Sequence, residues 1–387
     1  MSRWADYIAR LSSAERVFDL LPSGHDKSDV AEVERLLFMT LASGWLTTFA
    51  DRDRPDFVPA VNTHLNLVGT NPDFIYGTAS IDGDGQYLLT GERGDGLFLQ
   101  MDIAAGGFAV MDTPGPSLAT VDFDDLAPDA QGRFSLLLSQ ERPASRDGDW
   151  VYLDPAARSL SMRQASYDWD RGREARFAIE RLDVAHVPRQ WSHEEIGRRL
   201  ATLADYPARL AGMALQFIEG QRRKGLWNSF EHDDWAGRGG VEGQHYYQGL
   251  FRLESGMALL LETELPDRVR YWNVQLNDMR WNAIDWVNHQ SSLNGGQAVI
   301  DDDGKFRAVV ALEDPGVANW LDPAGNDEGS IMLRWTGASR GPVPSLTAIP
   351  VDEIAKRISA GTARVLSAER QEQLRNRRRS AQMRRRW

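Results

Sequence analysis

A chain of 387 residues with 42% hydrophobic content holds enough apolar material for two domains or one large double sandwich. Its zero cysteine count excludes disulfides, zinc–thiolate sites, iron–sulfur clusters, a cysteine nucleophile and thiolate-ligated haem. The formal charge of −12 is divided unevenly: residues 370–387 hold eight Arg and one Glu, so this tail carries +7 and the remainder −19, a body that repels phosphate backbones.

The N-terminus, Met1-Ser2-Arg3-Trp4-Ala5-Asp6-Tyr7, lacks a basic stretch followed by an apolar core, and no window approaches membrane-spanning length. The expectation is a cytoplasmic, soluble protein with neither a membrane nor a nucleic-acid partner. In chain order, Trp4, Ile8, Leu11 and Leu20 fall at roughly helical spacing, and Asp29 with Glu32 reads as a capping box opening a helix through Val33, Leu36, Leu37 and Thr40. Residues 1–60 are therefore expected to form N-terminal helices.

A first β region is expected over 61–190. Its apolar runs are Phe74-Ile75-Tyr76, Tyr87-Leu88-Leu89, Leu97-Phe98-Leu99, Phe108-Ala109-Val110, Phe134–Leu138 and Trp150–Leu153, separated by Gly and Asp. Turn signals at this spacing predict antiparallel strands in a sandwich or barrel. Ser192-His193-Glu194-Glu195 is a capping-box match, predicting a helical pair over 191–225 that breaks near Tyr206-Pro207.

A second β region follows over 226–350, with strands predicted at Tyr246–Leu253, Ala258–Thr263, Val269–Leu276, Arg307–Leu312 and Ser330–Trp335. The run Asp301-Asp302-Asp303-Gly304 is the hairpin turn before Lys305. From Val351 a C-terminal helix runs into Arg377-Arg378-Arg379 and Arg384-Arg385-Arg386. An arginine tail on an acidic body pairs with that body or with a second subunit, and a homo-oligomer formed through it is one expectation. The predicted class is mainly β: two antiparallel sandwich-like regions with flanking and intervening α-helices.

Three blocks in the second β region carry a resemblance: Tyr271-Trp272-Asn273-Val274-Gln275-Leu276, Asn288-His289-Gln290-Ser291-Ser292-Leu293-Asn294-Gly295, and Asp314-Pro315-Gly316-Val317-Ala318-Asn319-Trp320-Leu321-Asp322. Together they resemble the domain-of-unknown-function family twelve-fourteen. The block Thr70-Asn71-Pro72-Asp73-Phe74-Ile75-Tyr76 resembles the domain often found N-terminal to it. The resemblance implies β-sandwiches with flanking helices, often encoded beside catabolic genes for steroids, terpenoids or aromatic compounds, and it implies no particular reaction. Two positions depart from the family pattern: His289 stands where Arg is expected, and His245 precedes Tyr246-Tyr247 where no histidine is expected.

Thirteen Trp are present, and Trp272, Trp281, Trp286 and Trp320 lie inside the resembling region. Such side chains line small-molecule pockets or fill cores between sheets. In strand alternation Tyr271, Asn273 and Gln275 share one face while Trp272 and Val274 share the other. If the polar face is interior, Asn273 and Gln275 must meet a ligand, water or each other. The Trp-bearing strands between 271 and 320 are expected to enclose a pocket for a small apolar organic substrate, lined by Tyr247, Trp272, Asn273, Trp281, Asp285, Asn288, Asn294, Asn319 and Trp320.

No His-Glu-x-x-His motif occurs among the seven His, and no metal is expected. His232, Asp234 and His245 are close enough in sequence for a fold to join them, although each also reads as a surface or capping residue. A neutral imidazole in an aromatic pocket suffices as an axial haem ligand, and His245, then His289, are the candidates. Asp73 and Tyr76 are either an acid–base pair or an Asx-turn at a strand start. Asp82-Gly83-Asp84-Gly85 is a turn, because a calcium loop needs Gly and Glu where Tyr87 and Arg93 stand. Hydrolase elbow, Walker loop and dinucleotide fingerprint are absent.

The functional expectation is an enzyme transforming a phenylpropanoid, terpenoid or steroid-like molecule, in its leading form a haem-dependent oxygenase. The alternatives are a cofactor-free lyase, isomerase or hydrolase using His245, Asp73 and Tyr76, or a non-catalytic ligand-binding sandwich.

Overall fold

The structure, a computed structural model, describes residues 3–22, 26–107, 109–110, 115–144, 148–185, 190–235, 243–358 and 362–384. The first β region folds into β1 (Phe74–Ser80), β2 (Tyr87–Glu92), β3 (Phe98–Ala104), β4 (Ser117–Asp122), β5 (Arg133–Ser139), β6 (Asp149–Tyr152), β7 (Ser159–Ala165) and β8 (Arg176–Arg181). One sheet runs β1-β7-β3-β4 and the other β6-β5-β2-β8. Leu89, Met101, Phe134, Leu136, Leu160 and Met162 fill the space between them, so alternate residues of each strand supply the core.

The second region comprises β9 (Glu231–Asp233), β10 (Gln244–Arg252), β11 (Met257–Glu264), β12 (Tyr271–Asn277), β13 (Ser292–Asn294), β14 (Lys305–Val310), β15 (Trp320–Leu321), β16 (Glu328–Thr336) and β17 (Ser345–Pro350). Its sheets run β13-β12-β16-β10-β9 and β15-β14-β11-β17. The expected mainly β class with two sandwiches and helices therefore holds. The hairpin at Asp301–Gly304 is present, closed by Gly304 N–H donating to Asp301 O at 2.8 Å with Gly304 at φ +81°.

The strands β4 and β7 carry no apolar run longer than two residues and β8 carries only the short run Phe177-Ala178-Ile179; the apolar-run reading passed over all three. Phe108, in the expected run Phe108-Ala109-Val110, lies outside the described residues; Ala109 and Val110 form a turn.

Helix α1 spans Arg3–Leu11 and continues as a 3-10 stretch over Ser12–Leu20. Helix α2 spans Lys27–Thr48 and opens three residues before the predicted box. Asp26 accepts from Ser28 N–H and Asp29 N–H, and the Asp29 carboxylate accepts from Asp26 N–H at 3.1 Å. An Asp thus performs the return bond usually made by Glu or Gln.

Helix α3 spans His193–Arg223 without a break, capped by Ser192 as expected, so the predicted helical pair is one helix containing Pro207. An interior proline costs about 3 kcal/mol. Packing overrides it: Tyr206 is buried so tightly against α2 that a Cβ on Gly44 would lie 2.8 Å from its ring.

The predicted C-terminal helix is interrupted. A 3-10 turn (Val351–Glu353) and α4 (Ile354–Arg357) precede α5 (Ser367–Arg384). Helix α5 has no apolar stripe; arginines at intervals of seven take its place. Arg370 donates to Asp314 at 2.9 Å, to Gln290 at 2.9 Å and to Val317 O. Arg377 donates to Trp286 O at 2.5 Å and Ser292 Oγ at 2.7 Å beneath the Trp169 ring, and burial lowers its pKa to about 10. Arg384 pairs with buried Glu174 and donates to Asp73 O at 2.7 Å. At these three positions the basic tail is committed to its own acidic body and straps the second sandwich to the first. Arg385 and Arg386 lie outside the described residues.

Candidate functional site

Strand alternation gives the sheet containing β12, β16 and β10 two unlike faces. Tyr247, Trp272, Val274, Leu276, Leu333 and Trp335 point into the second sandwich and fill it together with Phe306 and Leu261. The other face presents Tyr271, Asn273, Gln275, Arg334, Thr336 and Tyr246, and it too is buried. Buried amides and a guanidinium need partners, and an irregular segment over 66–73, running across this face from the first region, provides them.

Along that segment, Asn66 and Ala283 exchange hydrogen bonds, and Gly69 N–H donates to Trp281 O at 2.6 Å. Gln275 donates to Gly69 O and Thr70 O, each at 3.3 Å, and Arg334 donates to Gly69 O at 2.7 Å. The Asn71 side-chain oxygen accepts from Asp73 N–H, Tyr271 Oη and Asn273 Nδ2. The buried Asp73 carboxylate accepts from Tyr271 Oη at 2.7 Å, Asn294 Nδ2 at 2.6 Å and Trp169 Nε1 at 2.9 Å. Burial raises the Asp73 pKa, with these bonds opposing it, and pushes the Tyr271 phenol well above its ordinary value.

Beside this junction is a cavity of about 200 Å³. Its walls come from both β regions and the helical layer: Phe74 and Tyr76 of β1, Arg163 of β7, Tyr246 of β10, Met332 and Arg334 of β16, and Ser43 and Tyr206 from α2 and α3. Trp281 and Trp235 line it as well, stacked with ring centroids 5.6 Å apart, and Phe217 of α3 stacks on Trp281 at 3.9 Å. Val68, Trp235 and Trp281 line the wall at φ +51°, +54° and +59°, and Gly69 follows at +63°. Left-handed backbone at a β-branched residue and two tryptophans costs on the order of 1–3 kcal/mol each, strain that clusters where a site needs a fixed shape.

Tyr76 is the chemically distinctive wall residue. Its oxygen accepts from Asn71 N–H at 3.0 Å, and no acceptor for its own hydrogen occurs among the described residues. Burial raises its pKa, although Arg334 and Arg163 pull the other way, so the phenol is protonated at neutral pH.

The sequence-predicted site residues are dispersed. Tyr76 and Trp281 line the cavity, while Asp73, Asn273 and Asn294 form the junction network beside it. Asp73 and Tyr76 are linked through Asn71 and do not bond each other. Trp272 and Tyr247 belong to the filled interior, where a pocket was expected, and Tyr247 Oη donates to Gly341 O at 2.6 Å. Trp320 donates from Nε1 to Ala311 O at 2.9 Å, and Asn319 ties Val299 to Arg307. Asp285 and Asn288 form a side-chain-bonded turn at 2.7 Å.

His245 projects from β10 on the face away from the cavity, where its Nδ1 lies 2.9 Å from His232 Nε2. His289 pairs with Asp322 at 2.8 Å on a half-exposed loop, which raises its pKa. Among the described residues no His lines the cavity, so neither imidazole expected to hold haem fits that role there. Among the described residues, no cluster of three His, Asp or Glu is arranged to hold a metal ion.

The reading missed Arg334, Tyr246 and Trp235. The signal for Arg334 was present: in Ile331-Met332-Leu333-Arg334-Trp335, a charge interrupts a buried strand.

Comparison with curated proteins finds no match. A crystal structure of an uncharacterized protein from Burkholderia cenocepacia superimposes with a TM-score of 0.83 at 27% identity, covering 91% of this chain and 98% of that one. The VPA0106 protein from Vibrio parahaemolyticus aligns with a TM-score of 0.44 at 12% identity, over 81% of this chain and 98% of that one. No helix among the described residues is long and apolar enough to cross a membrane. The second sandwich, which carries the three sequence blocks, matches at residues 252–340 the family described as Protein of unknown function (DUF1214).

Proposed function

We propose that the protein is an enzyme that takes a small, largely apolar organic molecule into the junction cavity and acts on it by proton transfer, with Tyr76 as the donor. The observation that carries this reading is an aromatic-walled cavity facing a half-buried phenol whose hydrogen has no protein acceptor among the described residues. An apolar cavity of roughly 150 Å³ admits one benzene ring. At about 200 Å³ the junction cavity suits a substituted single ring or a monoterpenoid, and not a fused four-ring steroid. The cofactor-free form is put forward because the imidazoles on which the haem-dependent form relied face away from this space or lie outside it.

Trp281 and Trp235 in the wall make the test direct. Titration with phenylpropanoids and monoterpenoids is expected to change the intrinsic fluorescence saturably, with product detectable by mass spectrometry. Tyr76→Phe is expected to retain binding and lose about 10²- to 10⁴-fold in turnover. Turnover that survives this change overturns the assignment of Tyr76, and binding without turnover in the unmodified protein makes it a ligand-binding sandwich. Absence of binding across the panel overturns the cavity as a site.

A further inference from the structure

The body of the chain is strongly acidic, yet among the described residues no Asp or Glu lines the cavity, and two arginines do. Arg334 is 5% exposed, and its bonds go to neutral acceptors: Gln275 Oε1 at 2.5 Å, Gly69 O at 2.7 Å and, weakly, Asn273 Oδ1 at 3.4 Å. Its Nε–H and the second hydrogen on Nη2 have no acceptor among the described residues. No carboxylate among them pairs with it, and the Tyr246 ring lies 5.8 Å below the guanidinium. Three other buried arginines have anionic partners, Arg384 with Glu174, Arg370 with Asp314 and Arg181 with Asp183, whereas the less buried Arg377 bonds to neutral oxygens. A buried cation without a counter-charge is costly unless something else supplies one.

A second observation points the same way. Trp281, 6% exposed, lines this cavity, and its Nε1–H has no partner among the described residues. The donor is itself buried beside Gly69, where a Cβ would come within 2.8 Å of it, so no side chain separates it from this backbone. Guanidinium, indole N–H and phenol O–H are all donors around one cavity whose remaining wall is aromatic and aliphatic with neutral polar groups, among them Ser43, Ser161 and Gln244, beside Arg163.

We infer that the molecule taken up is an amphipathic anion, a carboxylate on a single-ring or short isoprenoid skeleton, with its carboxylate against Arg334 and Trp281 Nε1–H. Planar guanidinium donors match the two oxygens of a carboxylate, and such charge-assisted bonds are about twice as strong as neutral ones. This inference rests on the junction cavity being the small-molecule site.

Matched pairs that differ only in the headgroup test it: trans-cinnamate against trans-cinnamyl alcohol, and geranate against geraniol, titrated calorimetrically at pH 7. The acid of a pair is expected to bind at least tenfold tighter than its alcohol. Arg334→Lys is expected to cut that ratio severalfold, and Trp281→Phe to reduce it as well. Arg334 also braces Gly69, so if its variant fails to fold, Trp281→Phe alone decides. Equal binding of acid and alcohol, or an unchanged ratio in the folded variants, overturns the anion while leaving the cavity reading intact. No binding by either member of both pairs overturns the two together.

Discussion

The two faces of the sheet holding β12, β16 and β10 are built from the same strands and equally buried, yet they do different things. One face is aliphatic and aromatic and meets a second sheet that fills every gap. The other is amide, phenol and guanidinium, and it meets an irregular segment whose carbonyls it must satisfy one by one. Apolar contact is non-directional and closes up. Directional bonding fixes a backbone in place and leaves space wherever geometry does not permit a partner, and the cavity lies beside that second kind of contact. Burial alone therefore does not mark a site; the kind of contact that produces the burial does.

The largest expected effect probes what holds the polar face closed. Arg384→Met leaves Glu174 buried without its partner and removes a strap to Asp73 O, so it is expected to cost about 3–5 kcal/mol in urea unfolding. Glu174→Gln added to it is expected to recover part of the loss, and no recovery would sink the ion-pair account.

Neighbours on β16 compare the faces directly. Leu333→Ala, in the filled interior, is expected to cost about 2–5 kcal/mol. Met332→Ala, at the wall of an existing cavity, is expected to cost about 2 kcal/mol or less, because its lost contacts already border open space. Equal costs by chemical denaturation would mean that the two faces are packed alike.

Gly69→Ala is expected to cost about 1–2 kcal/mol from its left-handed backbone alone. It should also weaken ligand binding, since the added methyl meets Trp281 Nε1 at 2.8 Å. Full binding by this variant would show that the donor is not used.

The smallest effect is electrostatic and lies away from the cavity. Asp322 raises the His289 pKa above its unfolded value of about 6.5, so the pair's contribution is fully present below that pH and lost as pH rises through the folded value. The pair is half-exposed and the contribution correspondingly modest. An NMR titration should place the His289 midpoint above 6.5, and His289→Asn should flatten the difference in unfolding midpoint between pH 6 and 8.

Much of the architecture was legible because it depends on local pattern. Phe134–Leu138, Tyr246–Leu253 and Ser330–Trp335 are predominantly apolar stretches, and each falls on a strand. Ser192 announces α3, and Asp301–Gly304 announces a hairpin. The pattern in β7, Ser159-Leu160-Ser161-Met162-Arg163, was weaker because its second face bears serine and arginine, and that face is the one turned to the cavity. Pro207 misled for the opposite reason: the local signal to stop was real and tertiary packing outweighed it.

The alternation of Tyr271, Asn273 and Gln275 against Trp272 and Val274 required two unlike faces and a partner for the polar one, because side chains on a strand must alternate. Which face would be filled and which left open was not encoded there, since that depends on what packs across each face. Trp272, Trp281 and Trp320 read alike in one dimension, yet one fills a core, one walls a cavity and one braces a strand end. His245 and Tyr246 are adjacent, and a pleat of one residue sends them to opposite sides of the sheet. The chain's own sequence determined the strands, the turns and the acidic body with its basic tail. Only the tertiary structure decided that segment 66–73 would cross the polar face, bringing Tyr76, Trp281 and Arg334 from three distant stretches around one space.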